Sequence, residues 1–280
     1  MALALSGAAQ AESPDVVPAT DPAAEPVSVP VTEPVAAAAG SPFSTHHANY
    51  LVIGPEESPV TGNITSKFQL SLKYDTGANW YFAYTQRGYW DITAESSPLI
   101  DLSVEPEVFY FWKLGPDRAE RWSLPAVRLG FVHESNGKEG LSSRAWSRAY
   151  VEPLFRYGGF LFEPKLWAIT STDIENEDIA DYYGYLDLVI GYETTSRQRL
   201  TVTGRQGTQH GSVRVDYSLP LQSLIADSRM RPWLYFQAWA GYGETLLQNS
   251  QMGIDGVDPL NRLILADAAR ALRASLQPKP

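Results

Sequence analysis

Residues 66–75 read SKFQLSLKYD, and this stretch decides the fold class because apolar and polar side chains alternate along it. Successive side chains of a β-strand point to opposite faces. One face of the strand is then apolar and the other polar, with Phe68, Leu70, Leu72 and Tyr74 opposed to Lys67, Gln69, Ser71 and Lys73. The stretch therefore predicts a strand between an apolar and a polar environment.

The same alternation recurs in about ten further segments, most of them roughly 9–13 residues long. They lie near residues 47–54, 78–90, 104–113, 124–135, 145–156, 158–170, 182–193, 197–205, 210–219 and 232–244. Strands of soluble proteins are mostly about five or six residues long. Longer alternating strands that end in Tyr or Trp are typical of outer membrane barrels. We predict an all-β antiparallel transmembrane β-barrel of about 12 strands, with a soluble β-sandwich as the alternative.

Composition excludes several classes of protein. The chain has 280 residues, a net charge of −10 and no cysteine. An acidic chain is a poor nucleic-acid binder, so no nucleic-acid partner is expected. The absence of cysteine excludes disulfides and thiol nucleophiles. Charges of both signs on the polar faces predict a lumen filled with side chains, not an open pore; they are Glu152, Arg156, Glu163, Lys165, Asp187 and Arg199.

The chain divides into four regions by composition. Residues 1–11 end in Ala-Gln-Ala and are interpreted as the remnant of a signal peptide, and residues 12–44 as a disordered Pro/Ala-rich linker. The barrel domain is predicted at 45–258, followed by an atypical tail at 259–280. The sequence has no run of 18 apolar residues, so no transmembrane helix is predicted.

Gln86 breaks an outward-facing apolar row. Trp80, Phe82 and Tyr84 precede it on the same face of the segment NWYFAYTQRG. A polar group facing hydrocarbon needs a hydrogen-bonding partner. A second copy of the chain in a homodimer would provide one, and interfacial water is the alternative.

A second break in an outward row contains reactive groups. Val127, Leu129 and Phe131 are followed on their face by His133 and Ser135. An imidazole two residues from a hydroxyl is in reach to act as its general base. On the next strand Ser147 falls on the outward row with Ala149 and Val151. This spacing alone is common and more often marks a strand-end turn.

The motifs around these residues resemble bacterial outer membrane phospholipase A. The family pattern H-x-S-N-G is matched by HESNG at 133–137, and S-R-S-W-N-R-x-Y by SRAWSRAY at 143–150. Further similar stretches occur in the same order along residues 45–248: KFQLSL (67–72), YTQRGYW (84–90), ESSP (95–98), EPEVF (105–109) and GYGET (241–245).

The resemblance implies a calcium-dependent, homodimeric enzyme of the outer membrane bilayer that hydrolyses acyl esters of membrane phospholipids. It implies Ser135 as nucleophile, His133 as general base and Ser147 in the place of the family's orienting Asn. Calcium is expected at the Lys138 carbonyl, Ser143, Glu175 and, from the partner chain, Ser96. Gln86 matches the family's interface glutamine.

Two departures favour an alternative, a catalytically impaired or inert barrel homologue. The serine hydroxyl of Ser147 is shorter than an asparagine amide, and loss of an orienting group slows related triads. In addition, eleven alternating segments leave a twelfth strand to the weakly patterned stretch 249–258. A barrel with an open edge is not stable in lipid.

Overall fold

A computed structural model describes residues 41–57, 64–220, 233–247, 250 and 253–255. The predicted signal remnant, nearly all of the predicted linker and the predicted tail lie outside the described residues. Residues 41–44 of the linker are described, and Phe43 and Ser44 form a short strand. A described strand therefore lies just before the expected domain boundary at residue 45.

The described residues form one sheet of thirteen strands. The strands are β1 Phe43–Ser44, β2 Tyr50–Glu57, β3 Ile64–Asp75, β4 Trp80–Asp91, β5 Leu99–Lys113, β6 Ser123–Ser135, β7 Ala145–Tyr157, β8 Phe160–Thr172, β9 Leu186–Glu193, β10 Arg199–Gln206, β11 Gly211–Pro220, β12 Trp233–Gly241 and β13 Gly253–Asp255. Each of the eleven predicted segments coincides with one of the strands β2–β12.

Neighbours in sequence from β3 to β13 pair antiparallel, as in an up-and-down meander. Strands β1 and β2 both pair with the free side of β3 and act as one interrupted edge strand. At the other edge, β13 pairs with Trp239–Gly241 of β12, and its residues Gly253–Asp255 are the described strand residues of the 249–258 stretch. Strands β2 and β12 are in contact, and the rings of Tyr50 and Tyr235 stack at 4.8 Å across this seam. The fold is the predicted outer-membrane-type β-barrel.

Burial along β3 is inverted relative to a soluble protein. Lys67 and Lys73 are 8% and 4% exposed, whereas Leu70 is 58% exposed. Such a strand is stable only if its exposed apolar side chains meet hydrocarbon. The alternation predicted from the sequence is thereby confirmed, with the polar face inward.

The interior contains paired charges. Arg128 donates to Glu152 at 2.9 Å, Arg156 to Glu163 at 2.8 Å and Arg205 to Asp187 at 2.7 Å. Buried charges are tolerated when they are paired and hydrogen-bonded. The described part of the lumen is therefore occupied by side chains, as the mixed charges predict.

A short helix, α1 (Ile179–Tyr183), lies in the connection between β8 and β9. The sequence predicts a strand from residue 182, but β9 starts only at Leu186. Gly184 ends the helix at φ +60, and a Cβ there would lie 2.1 Å from the carbonyl oxygen of Gln206. The chain has to turn at this glycine before it can join the sheet. Among the described residues, no helix is long and apolar enough to cross a bilayer.

Candidate active site

The two predicted catalytic residues of β6 lie beside β7 at one end of the barrel. His133 is the direct cross-strand neighbour of Ser147. Its Nδ1 atom lies 2.9 Å from the Ser147 Oγ. When Nδ1 carries the proton and donates it to Ser147, Nε2 is the basic nitrogen. The register therefore holds the Nδ1 side of the imidazole against Ser147.

Ser147 differs from its predicted environment in one respect. Its register neighbours on the outward row, Ala149 and Val151, are exposed, but Ser147 itself is only 6% exposed. The His133 ring lies directly against it, and the pairing of β7 with β8 is irregular between Ser147 and Arg148. The hydroxyl is therefore held in a buried hydrogen bond and does not open directly onto lipid.

Ser135, the predicted nucleophile, ends β6 and is partly exposed. Its Oγ accepts a 3.2 Å hydrogen bond from the backbone N–H of Gly137. Gly137 has φ +64, a left-handed conformation that favours glycine. The tight turn after the strand thus points a backbone donor at the hydroxyl.

Asn136 fixes the loop that follows Ser135. Its side chain donates to the carbonyl of Ser142 at 2.9 Å, and its Oδ1 accepts from the backbone N–H groups of Arg144 at 3.0 Å and Lys138 at 3.3 Å. These bonds join both ends of the loop between β6 and β7. They explain why an asparagine follows the nucleophile in the motif.

Two oxygen donors meet near this loop. The Ser143 hydroxyl donates a 2.7 Å hydrogen bond to Asp173 Oδ2. Asp173 immediately follows β8 and also donates its backbone N–H to the Ala145 carbonyl. Hydroxyl, carboxylate and carbonyl oxygens are the donors that calcium prefers. The chemistry of this donor set therefore fits the expected ion.

The other predicted ligands lie around the same end of the barrel. Lys138 is in the loop after Ser135, and its ammonium donates to the Ile100 carbonyl at 2.9 Å. Ser96 is exposed in the connection between β4 and β5. Glu175 is exposed in a 3₁₀ turn, Ile174–Asn176, two residues beyond Asp173. The structure brings Asp173 to Ser143, and the role of Glu175 stays a prediction.

A buried carboxylate supports the motif from inside the barrel. Glu134, 1% exposed, accepts from Trp146 Nε1 at 2.9 Å and from Arg148 at 3.1 Å. Arg87 donates to its second oxygen at 2.7 Å. Because Glu134 separates His133 from Ser135 in sequence, this network anchors the strand that carries both.

Aromatic packing closes the lumen below the site. The ring centroid of Trp146 lies 5.3 Å from that of Tyr183 and 6.3 Å from that of Trp167. Burial, and secondarily the Glu134 carboxylate, raise the pKa of the Tyr183 hydroxyl above its ordinary value. This helix residue therefore stays neutral at physiological pH.

Gln86 lies on the outward row of β4, between exposed Tyr84 and Trp90. Its Oε1 accepts a 3.2 Å hydrogen bond from the Tyr84 hydroxyl. Its side chain remains at the barrel exterior, where a second chain could reach it. The predicted outward position of Gln86 is confirmed.

Sequence reasoning missed Asp173 and the anchoring role of Glu134. Asp173 carried a weak signal, an acidic residue directly after a predicted strand. Glu134 was visible only as the middle residue of the motif. Their partners Ser143, Trp146 and Arg148 lie on another strand or loop, so only the sheet register reveals the contacts.

Comparison with known proteins agrees with this geometry. The family profile described as Phospholipase A1 matches residues 41–253. Phospholipase A1 of Salmonella typhimurium is 33% identical over 192 residues, which cover 65% of this chain and 63% of that protein. Phospholipase A1 of Escherichia coli K12 is 32% identical over the same shares. The chain thus spans slightly less than two thirds of the length of these relatives.

Solved structures give the same result. Outer membrane phospholipase A from Escherichia coli matches with a TM-score of 0.65 and 27% identity, over 77% of this chain and 92% of that chain. The Salmonella typhi outer membrane phospholipase, solved as a dimer with bound calcium, matches with a TM-score of 0.64 and 28% identity over the same shares. These matches confirm the resemblance noted in the sequence and the expected outer membrane location. The chain belongs to the phospholipase A1 family of outer membrane β-barrels.

Proposed function

We propose that this protein is a calcium-dependent phospholipase A that hydrolyses acyl esters of glycerophospholipids in the outer membrane and is active as a homodimer. The observation that carries the proposal is the 2.9 Å contact between His133 and Ser147, with Ser135 two residues along the same row. An orienting group, a base and a nucleophile on one face are the components of a serine hydrolase. Family membership supports an ester of membrane lipid as the substrate.

In the proposed reaction, His133 passes a proton from the nucleophile to the leaving group. His133 Nε2 takes the proton of Ser135 as Oγ attacks the ester carbonyl, while Nδ1–H donates to Ser147. The protonated imidazole then protonates the departing lysophospholipid alkoxide, leaving an acyl ester on Ser135. Water attacks this ester with His133 again as base, which releases the fatty acid and restores the serine.

Calcium binding is proposed at Ser143 and the Lys138 carbonyl, with Ser96 of the partner subunit. Asp173 is proposed as the acidic ligand because its carboxylate already meets the Ser143 hydroxyl at 2.7 Å. Glu175 is retained as the alternative acidic ligand, since it lies in the same connection. When bound, the ion supplies positive charge that stabilises the developing oxyanion.

The alternative is a barrel that binds lipid at its surface without catalysis. It is favoured by one observation, the serine at position 147 where the family pattern has asparagine. A serine hydroxyl nevertheless accepts a hydrogen bond from an imidazole. The 2.9 Å contact supports retention of the orienting function, so catalysis is the preferred proposal.

The test is phospholipid hydrolysis by the refolded full chain in detergent micelles, with calcium and with chelator. Turnover should require calcium and should disappear in Ser135→Ala. Ser142→Ala is the matched control, because it removes an exposed loop hydroxyl. The backbone carbonyl of Ser142, which accepts from Asn136, is kept. If the folded wild-type dimer shows no turnover and Ser147→Asn restores none, the proposal fails and the inert barrel replaces it.

A further inference from the structure

A second group of chemically reactive side chains lies on the inward face of the barrel wall, whereas His133 and Ser135 belong to the outward row. It consists of His46 and His47, between β1 and β2, and Glu107 on β5. One ligand atom from each of the three lies within 4.8 Å of the others. Two imidazoles and a carboxylate form a common protein ligand set for zinc.

The shortest pair already has the separation of two ligands on one ion. His46 Nε2 lies 3.2 Å from Glu107 Oε2. Two ligands at about 2.0–2.1 Å from a tetrahedral zinc are roughly 3.3 Å apart. The His47 ring, whose centroid is 4.1 Å from that of His46, has to turn slightly inward to complete the set. His47 is exposed, and the movement requires its ring to shift from its packing against His46.

Neighbouring residues position the three proposed ligands through hydrogen bonds and ring stacking. The Tyr150 hydroxyl donates to the second oxygen of Glu107. The ring of Phe109 stacks on His46 at 5.2 Å, and Ser71 accepts the backbone N–H of His47 at 3.0 Å. Hydrogen bonds to a ligand's remaining atoms orient it and raise its affinity for metal. The cluster therefore has support beyond its three donor side chains.

Nearby cations do not block the cluster. Lys73 donates to the Thr45 carbonyl at 2.8 Å, and Arg128 donates to Glu152 at 2.9 Å. Lys165 lies over the ring of Tyr150 at 3.8 Å. Their charges still oppose a cation, so binding has to come from imidazole coordination. This selects a transition metal over calcium, which requires several oxygen ligands.

We propose that His46, His47 and Glu107 form a site for a divalent transition metal of the zinc type inside the barrel. The three ligands leave a fourth position for water. The metal would join the segment before β2 to the wall strand β5, and it would stabilise the barrel independently of catalysis. The site is distinct from the expected calcium site, which uses oxygen donors at the loop end.

Zinc titration of the tag-free, refolded full chain tests this site by calorimetry. One zinc ion per chain should bind, and excess calcium should not displace it. His47→Ala and Glu107→Gln should each weaken binding at least tenfold, because each removes a ligand while Glu107→Gln keeps the side-chain volume. His210→Ala is the matched control, since its ring stacks on Tyr182 and Tyr242 outside the cluster.

A second measurement keeps the test independent of folding defects. Zinc should raise the unfolding temperature of the wild type and of His133→Ala, but not that of His47→Ala, and each variant is compared with its own metal-free form so that a packing defect does not enter the difference. Absence of zinc binding to the wild type at millimolar concentration would overturn the proposal. So would equal zinc affinity of the wild type and His47→Ala, or loss of binding in the His210→Ala control.

Discussion

Gln86 and Ser135 both lie opposite Val104, one on each side of strand β5. Cross-strand neighbours share a face of the sheet, so Gln86 and Ser135 belong to the same outward row. Adjacent strands are about 4.8 Å apart. The two backbones are therefore separated by roughly 10 Å. A second barrel that covers Gln86 would come close to the proposed catalytic serine.

Dimerisation should depend on the Gln86 amide. Gln86→Ala should weaken self-association in detergent by about tenfold or more, because an amide in an apolar interface stabilises it through hydrogen bonds. Sedimentation equilibrium with calcium and a non-hydrolysable phospholipid analogue measures this. Tyr84→Phe is the control, since it removes only the hydrogen bond within the chain. Unchanged association of Gln86→Ala would place the interface elsewhere.

The orienting role of Ser147 should be visible in kcat. Ser147→Ala removes the acceptor of His133 Nδ1–H and should lower kcat by about tenfold to a hundredfold, the effect of losing one hydrogen bond to a charged group. KM should change little, because Ser147 is buried away from bulk lipid. Ser147→Asn should keep or raise kcat. If Ser147→Ala retains full kcat, the 2.9 Å contact has no part in catalysis.

Calcium dependence should distinguish the two acidic candidates. Asp173→Asn should raise the calcium concentration for half-maximal activity at least tenfold, because a neutral amide replaces the carboxylate beside Ser143. Glu175→Gln should have a smaller effect, and Glu177→Gln, an exposed neighbour, should have none. Activity measured across a calcium titration decides the assignment. If only Glu175→Gln raises this calcium concentration strongly, Glu175 is the acidic ligand.

The buried network behind the motif should contribute to stability. Glu134→Gln removes one of the two carboxylates that pair with Arg87 and Arg148 and leaves them Glu105, so it should lower the free energy of unfolding by about 2 kcal/mol. Urea unfolding followed by tryptophan fluorescence measures this loss. Glu139→Gln, exposed in the neighbouring loop, is expected to be neutral. Equal stability of the two variants would mean that the network is not required for folding.

Sequence alone determined the properties that repeat along each strand. The alternation of polar and apolar side chains from Lys67 to Tyr74 predicted which face is inward. The positions of His133, Ser135 and Ser147 along their strands predicted that they share one outward row. Both follow from the two-residue period of an extended chain, which is local. The strand positions and the barrel type could be predicted for the same reason.

Tertiary structure decided every contact that depends on register between distant segments. Asp173 reaches Ser143, Glu134 binds Trp146 and Arg148, and His46 meets Glu107 across 61 positions of the chain. No local pattern encodes these distances, since they arise only when the strands are laid side by side. The sequence therefore specified the barrel and the row that carries His133 and Ser135, whereas the sheet pairing selected which carboxylates and imidazoles come into contact.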